Sequence, residues 1–166
     1  MICLYFCPED KREETLDRLI ESECGRPQKI LRTQNGKPYV EGNRVQFSLS
    51  HSGGTCAIAV SENPVGVDTE AFLGKERGAV LASFCGKERA EITCERDFLM
   101  HWTAREAFVK YMGGTVWEYV KRLSFIGGRL YLDGETVKEQ IVFHVTDRAV
   151  TALCAESAEY EIRKIL

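Results

Sequence analysis

The chain has no apolar run approaching the roughly 18 residues that a membrane-spanning helix needs, so no such helix is expected. Its first residues, MICLYFCPEDKREE, lack a basic n-region, and their apolar run is too short for a signal peptide. Basic charge is not in excess. Lys and Arg number 22 against 25 Asp and Glu, a net charge of −3, which argues against nucleic acid as the main partner. None of the seven cysteines (Cys3, Cys7, Cys24, Cys56, Cys85, Cys94 and Cys154) forms a Cys-x-x-Cys pair. An odd number without a secretion signal argues against a disulfide framework, and a zinc site would want closer ligand pairs. Reduced thiols acting as small hydrophobes and a cytoplasmic location are the expectation. Low-complexity segments and an evident linker are also missing.

What is present is an ordinary soluble composition, 44% apolar and 28% charged over 166 residues, enough for a sizeable core. Apolar runs and turn signals predict strands at Ile2–Phe6, Val45–Leu49, Thr55–Val60 and Val65–Glu70, with a strand and turn over Ile30–Val40 around Asn35-Gly36. Lys11–Cys24 reads as a helix stopped by Gly25, and residues 78–112 as mainly helical with a break near Cys85-Gly86. Strands follow at Arg122–Ile126, Arg129–Leu132, Gln140–Thr146, Ala149–Ala155 and Tyr160–Ile165, where alternation in IVFHV and AVTALCA supports antiparallel pairing. The pattern is an α+β arrangement in two rough copies.

The run Val65-Gly66-Val67-Asp68-Thr69-Glu70 sets two carboxylates two residues apart. In a strand they point the same way, and like charges on one face repel. The helix DFLMHWTAREAFVKYM, Asp97–Met112, places Leu99, Thr103, Glu106 and Lys110 on one stripe of a largely apolar surface. Each feature alone reads as surface charge. Together, Asp68, Glu70 and Glu106 make a set of hard oxygen donors suited to Mg²⁺, which would remove the repulsion. Lys110 beside them suits a phosphate or a departing alkoxide.

Ser50-His51-Ser52-Gly53-Gly54 has no G-x-S-x-G elbow, and adjacent Ser and His rarely orient as a triad. An anion-binding loop and a plain tight turn both remain open for it. Lys37-Pro38, in the preceding turn, reads either as an exposed turn or as a further cation on a stiff backbone.

The ordered blocks FSLSHSG, VGVDTE and WTAREAFVKYMGG resemble the three signature blocks of 4′-phosphopantetheinyl transferases, close to F-N-x-S-H-S-x, V-G-[IV]-D-x-E and W-x-x-K-E-[AS]-x-x-K-x-x-G. The similarity runs from about Gly36 to Gly114. It implies the transferase-like α+β fold, two pseudo-symmetric halves with antiparallel sheets and packed helices. The halves would be residues 1–64, a shortened N-terminal half, and residues 65–166, which carry the metal site. The two-half layout is similar to the monomeric, surfactin-synthetase-activating subgroup.

The resemblance also implies an enzyme of holo-acyl-carrier-protein synthase activity. Coenzyme A donates its phosphopantetheine arm to a serine of an apo acyl or peptidyl carrier protein, leaving 3′,5′-ADP. By matching position, Asp68, Glu70 and Glu106 would bind Mg²⁺, Glu106 would serve as base, and Lys110 would stabilise and protonate the leaving phosphate. Ser50, His51 and Arg105 would contact phosphate, with Lys37 and Pro38 beside the nucleotide. Arg105 stands where the family usually has lysine and Ser48 where it has asparagine. Set against the resemblance, the residues before the Asp68 strand are expected to lack the family's upstream basic helix, with Lys11 and Arg12, or nothing, in its place. Arg77, Lys87, Arg89, Lys121 and Arg122 are candidates for docking an acidic carrier. A degenerate member that binds coenzyme A or a carrier without catalysis is the alternative.

Overall fold

Strand alternation decides the layers. The computed structural model describes residues 1–42, 45–74, 78–119, 121–157 and 159–163. In chain order these form β1 (Ile2–Pro8), α1 (Arg12–Cys24), β2 (Ile30–Arg32), β3 (Pro38–Val40), β4 (Gln46–Ser52), β5 (Thr55–Ser61) and β6 (Gly66–Ala71). Helices α2 (Gly78–Leu81), α3 (Gly86–Glu91), α4 (Glu95–Met112) and α5 (Val116–Tyr119) follow. Then come β7 (Leu123–Ile126), β8 (Arg129–Leu132), β9 (Glu135–Thr136), β10 (Gln140–Val145), β11 (Ala149–Ala155) and β12 (Tyr160–Ile162). The predicted α+β class is what the chain adopts. The last predicted strand extended to Ile165, which lies outside the described residues.

Two sheets carry the fold, in the orders β12-β1-β5-β4 and β10-β11-β6, flanked by a β2-β3 ribbon and a β7-β8-β9 meander. β10 and β11 pair antiparallel, as their alternation predicted. β12 returns to lie parallel to β1, with Ile2 opposite Tyr160. On β5, Cys56, Ile58 and Val60 join Leu16 and Ile20 of α1 in one core cluster. The alternate residues Ala57 and Ala59 join Val65, Val67 and Leu153 in another, between the sheets. Beyond the second sheet, Ala104, Ala107 and Phe108 of α4 pack with Ala152 and Cys154 of β11. The order of layers is therefore α1, first sheet, second sheet, α4. Period two in the strands sends alternate residues to different clusters.

The site depends on how closely α4 lies on β6. A Cβ built on Gly66 would stand 2.0 Å from the Ala107 carbonyl oxygen and 2.6 Å from the Tyr111 nitrogen. Only glycine permits that approach. At the other end, Glu95 Oε1 accepts the backbone N–H groups of Leu73 (3.2 Å) and Gly74 (2.9 Å), tying the chain beyond β6 to the first turn of α4. Gly66→Ala should destabilise the protein by about 3 kcal/mol, the upper end of the usual overpacking cost, because a backbone-to-backbone contact cannot relax as a side chain can. Urea unfolding would check this, and a loss below about 1 kcal/mol would mean that the helix shifts freely.

Candidate active site

Residues 66, 68 and 70 of β6 share one face, so the face that meets α4 at Gly66 also carries Asp68 and Glu70. In register, Asp68 lies opposite Ala152 and Glu70 opposite Val150 of β11. Asp68 is buried, with 4% of its surface exposed. Its Oδ1 accepts hydrogen bonds from Ser50 Oγ at 2.8 Å and from Lys110 Nζ at 2.7 Å. Its Oδ2 is buried with no hydrogen-bond partner among the described residues. Glu70, half-buried, accepts a hydrogen bond on Oε2 from Ser52 Oγ at 3.1 Å.

Glu106, half-buried on α4, faces the same charges. Burial, then the negative charges of Asp68 and Glu70, push its pKa up from 4.5 to about 7, although the Lys110 ammonium opposes the rise. The stripe predicted on α4 thus divides. Leu99 and Thr103 are fully buried, whereas Glu106 and Lys110 meet the β6 carboxylates. Among the described residues, no three carboxylate, imidazole or thiol groups already form a cluster able to hold a metal ion.

The segment predicted as a polar loop is mostly strand. Gly53 and Gly54, with φ of 59° and 80°, form a two-residue turn, and Ser52 pairs directly with Thr55. Positive φ at both turn residues matches the twist of a hairpin, so Ser50, His51 and Ser52 continue β4. Of the two readings left open for the loop, the tight turn describes the glycines. Along β4 the side chains alternate. Ser48 Oγ accepts the N–H of Val67 (3.0 Å) and Ser52 Oγ that of Ala71 (3.1 Å). Both partners advance by four residues, so β4 and β6 run parallel, joined through serine hydroxyls. Each is the edge strand of its sheet, and the hydroxyls satisfy N–H groups that an edge leaves open.

The expected phosphate ligands are distributed differently. Ser50 donates to Asp68, inside the joint. His51, on the opposite face, is exposed, with Nδ1 2.8 Å from Glu9 Oε1. Arg12 Nη1 lies 3.9 Å from the same oxygen. Lys37 Nζ donates to the Tyr111 carbonyl at 3.0 Å and Asn35 Nδ2 to that of Gly113 at 3.1 Å, so the β2-β3 turn is fastened to the C-terminal end of α4. Burial lowers the Lys37 pKa. Lys37, Pro38, Phe47, Ser48, Lys110, Gly113 and Gly114 border a pocket of about 200 Å³.

Arg105 departs most from its expected place. It is 2% exposed, and its guanidinium is directed into the interior. Its Nε donates to Glu88 Oε1 at 3.1 Å, its Nη2 bonds Glu88 Oε2, and its Cζ lies 4.0 Å from the centre of the Phe84 ring. Glu88 is fully buried and was missed by sequence reasoning. His101 Nδ1 stands 3.1 Å from its Oε1, which also accepts the Phe125 N–H at 3.2 Å. Burial acts to raise the Glu88 pKa, but the His101 and Arg105 contacts prevail and hold it below the usual carboxylate range. The one available signal was Arg105 one turn from His101 on a buried helix, a cation in need of an anion beside a ring in need of a hydrogen-bond partner. Of the basic docking candidates, Lys87, Arg89 and Lys121 are exposed. Arg122 pairs with Asp133, Nε to Oδ1 3.0 Å, and Arg77 lies outside the described residues.

Residues 64–155 match the family model described as the 4'-phosphopantetheinyl transferase superfamily. A "4'-phosphopantetheinyl transferase AcpT" of Salmonella typhi is 38% identical over 97 residues, covering 52% of this chain and 50% of that protein. The protein of the same name from Escherichia coli (strain K12) is 34% identical over 101 residues, covering 55% of this chain and 52% of its own length. The chain spans about half the length of the curated relatives it matches. No helix among the described residues is long and apolar enough to cross a membrane.

The raised pKa of Glu106 has a signed consequence for metal-free protein. Between pH 4.5 and about 7 the folded chain keeps a proton that the unfolded chain has lost, so stability falls as pH rises through that window. Glu106→Gln removes this dependence. In urea unfolding with EDTA, the variant should gain roughly 2–3 kcal/mol on wild type between pH 4.5 and pH 7.5. Parallel pH profiles would show that Glu106 is not the group that titrates.

Proposed function

Since the chain belongs to the 4'-phosphopantetheinyl transferase superfamily, we propose that it transfers the 4′-phosphopantetheine arm of coenzyme A to a serine of an apo carrier protein. The serine oxygen forms a bond to the β-phosphorus, the pyrophosphate P–O bond breaks, and 3′,5′-ADP leaves. The observation that carries this reading is that Lys110 bonds Asp68 and Glu106 feels its charge, while the buried Asp68 Oδ2 has no hydrogen-bond partner among the described residues.

Asp68, Glu70 and Glu106 are the proposed ligands for Mg²⁺. Hard oxygen donors suit that ion, and Asp68 Oδ2 is a buried acceptor that a cation would satisfy. Bound there, Mg²⁺ supplies positive charge to the pyrophosphate oxygens. Glu106, on the helix face that meets the Asp68 and Glu70 charges, is the group suited to take the proton of the incoming hydroxyl. Lys110 carries an ammonium proton beside Asp68 and borders the pocket that also includes Pro38, which favours a role toward the departing phosphate. Lys37 contributes its stem to that wall while its ammonium caps α4. His51 and Arg12, both held by Glu9, are the groups that a further phosphate of coenzyme A would engage in place of that carboxylate. Arg105 is assigned to the interior.

Activation of acyl carriers in particular, a monomeric state, a cytoplasmic location and no role for nucleic acid or membrane belong to the same proposal. The free thiols and the net charge of −3 support the last two.

Intact-mass spectrometry of several apo carrier proteins, incubated with the protein, coenzyme A and Mg²⁺, tests the reaction. A mass gain equal to the phosphopantetheine arm, abolished by EDTA, is the expected result. Coenzyme A binding without any gain would favour the non-catalytic alternative. Glu106→Ala should lower transfer by at least about a hundredfold. Lys110→Ala should lower kcat far more than it raises KM for coenzyme A, and the reverse split would remove its leaving-group role.

A further inference from the structure

We infer that Ser50 is a positioning residue of the acidic site, acting through Asp68 and not on a phosphate. The inference rests on the reading of Asp68 as a cation ligand. Two donors, the Ser50 hydroxyl and the Lys110 ammonium, converge on Asp68 Oδ1 at 2.8 and 2.7 Å. With both on one oxygen, the carboxylate plane is fixed and Oδ2 is left buried without a hydrogen-bond partner among the described residues. Ser50 is itself buried, with 7% exposed. A hydroxyl has one proton to donate, and here it goes to Asp68.

The neighbouring serines hold Ser50 in register. Ser48 Oγ takes the Val67 N–H and Ser52 Oγ takes the Ala71 N–H, so β4 is pinned against β6 on both sides of Ser50. A slip of one residue would turn Leu49 or His51 toward Asp68, because alternate residues face opposite ways. Ser52 performs both tasks, since it also donates to Glu70 Oε2 at 3.1 Å. Ser48 performs only the first. The three serines therefore separate strand joining from carboxylate orientation, and this separation makes the inference testable.

The test is Mn²⁺ titration, read by electron paramagnetic resonance of the free ion, with melting curves run alongside. Ser50→Ala should weaken Mn²⁺ binding by about ten- to a hundredfold, the usual loss when the partner of a ligand is removed. Ser50→Thr, which keeps the hydroxyl, should bind within about threefold of wild type on the same reasoning. Ser48→Ala should lower the melting temperature and leave Mn²⁺ affinity within about twofold, because it touches no carboxylate. Equal binding by Ser50→Ala and wild type overturns the inference alone. Equal weakening in Ser50→Ala and Ser50→Thr also overturns it, because shape and not the hydroxyl would then matter. Failure of wild type to bind Mn²⁺ overturns the cation assignment and, with it, this role for Ser50. Should Ser50→Ala not fold, Ser52→Ala supplies the second arm. It removes the hydroxyl on Glu70 and should weaken Mn²⁺ several-fold beyond Ser48→Ala, and no difference between the two would count against the inference.

Discussion

The contact between α4 and β6 governs the rest of the structure. Where Gly66 meets Ala107 and Tyr111, helix and strand touch backbone to backbone. Residues two and four positions along the strand then face the next turn of the helix, which carries Glu106. A side chain at position 66 would push the helix away and weaken the burial, and then the repulsion from Asp68 and Glu70, that raise the Glu106 pKa. Close packing brings three carboxylates into one region of low polarity, where unopposed negative charge is costly. The Lys110 ammonium on Asp68 offsets part of that cost, and the proton favoured on Glu106 offsets more.

A second constraint comes from the two sheet edges. β4 and β6 run side by side but do not exchange backbone hydrogen bonds. A direct ladder would bring strands within about 5 Å, whereas a serine side chain between them acts as a spacer and still satisfies the β6 N–H groups. The same spacing leaves Ser50 pointing at the Asp68 carboxylate. Joining the sheets and orienting the acidic group are thus one structural solution, achieved by three hydroxyls at alternate positions.

The interior network at Glu88 shows how helix packing, and not motif position, decides which way a side chain points. Arg105 sits directly before Glu106 in sequence, yet one helical step of about 100° turns it away from the carboxylates. There its planar guanidinium satisfies a fully buried Glu88. Glu88 in turn accepts the N–H of Phe125, linking α3, α4 and β7. Lys37 is a comparable case, its ammonium drawn to the Tyr111 carbonyl near the end of α4, where a cation complements the helix dipole.

Local periodicity was enough to read much of this from the sequence. Period two put Asp68 and Glu70 on one face, period 3.6 put Glu106 and Lys110 on one stripe, and apolar alternation located β10 and β11. Those are properties of neighbouring residues along one element, set by backbone geometry alone. Tertiary structure decided which of two adjacent residues in Ser50-His51 faces the acidic group, that Glu88 is interior, and that Lys37 and Arg105 bond to protein. Each of those outcomes depends on a partner 13 or more positions away, at a distance set by strand register and helix packing. No spacing within a single element encodes that register, so only the assembled layers could supply it.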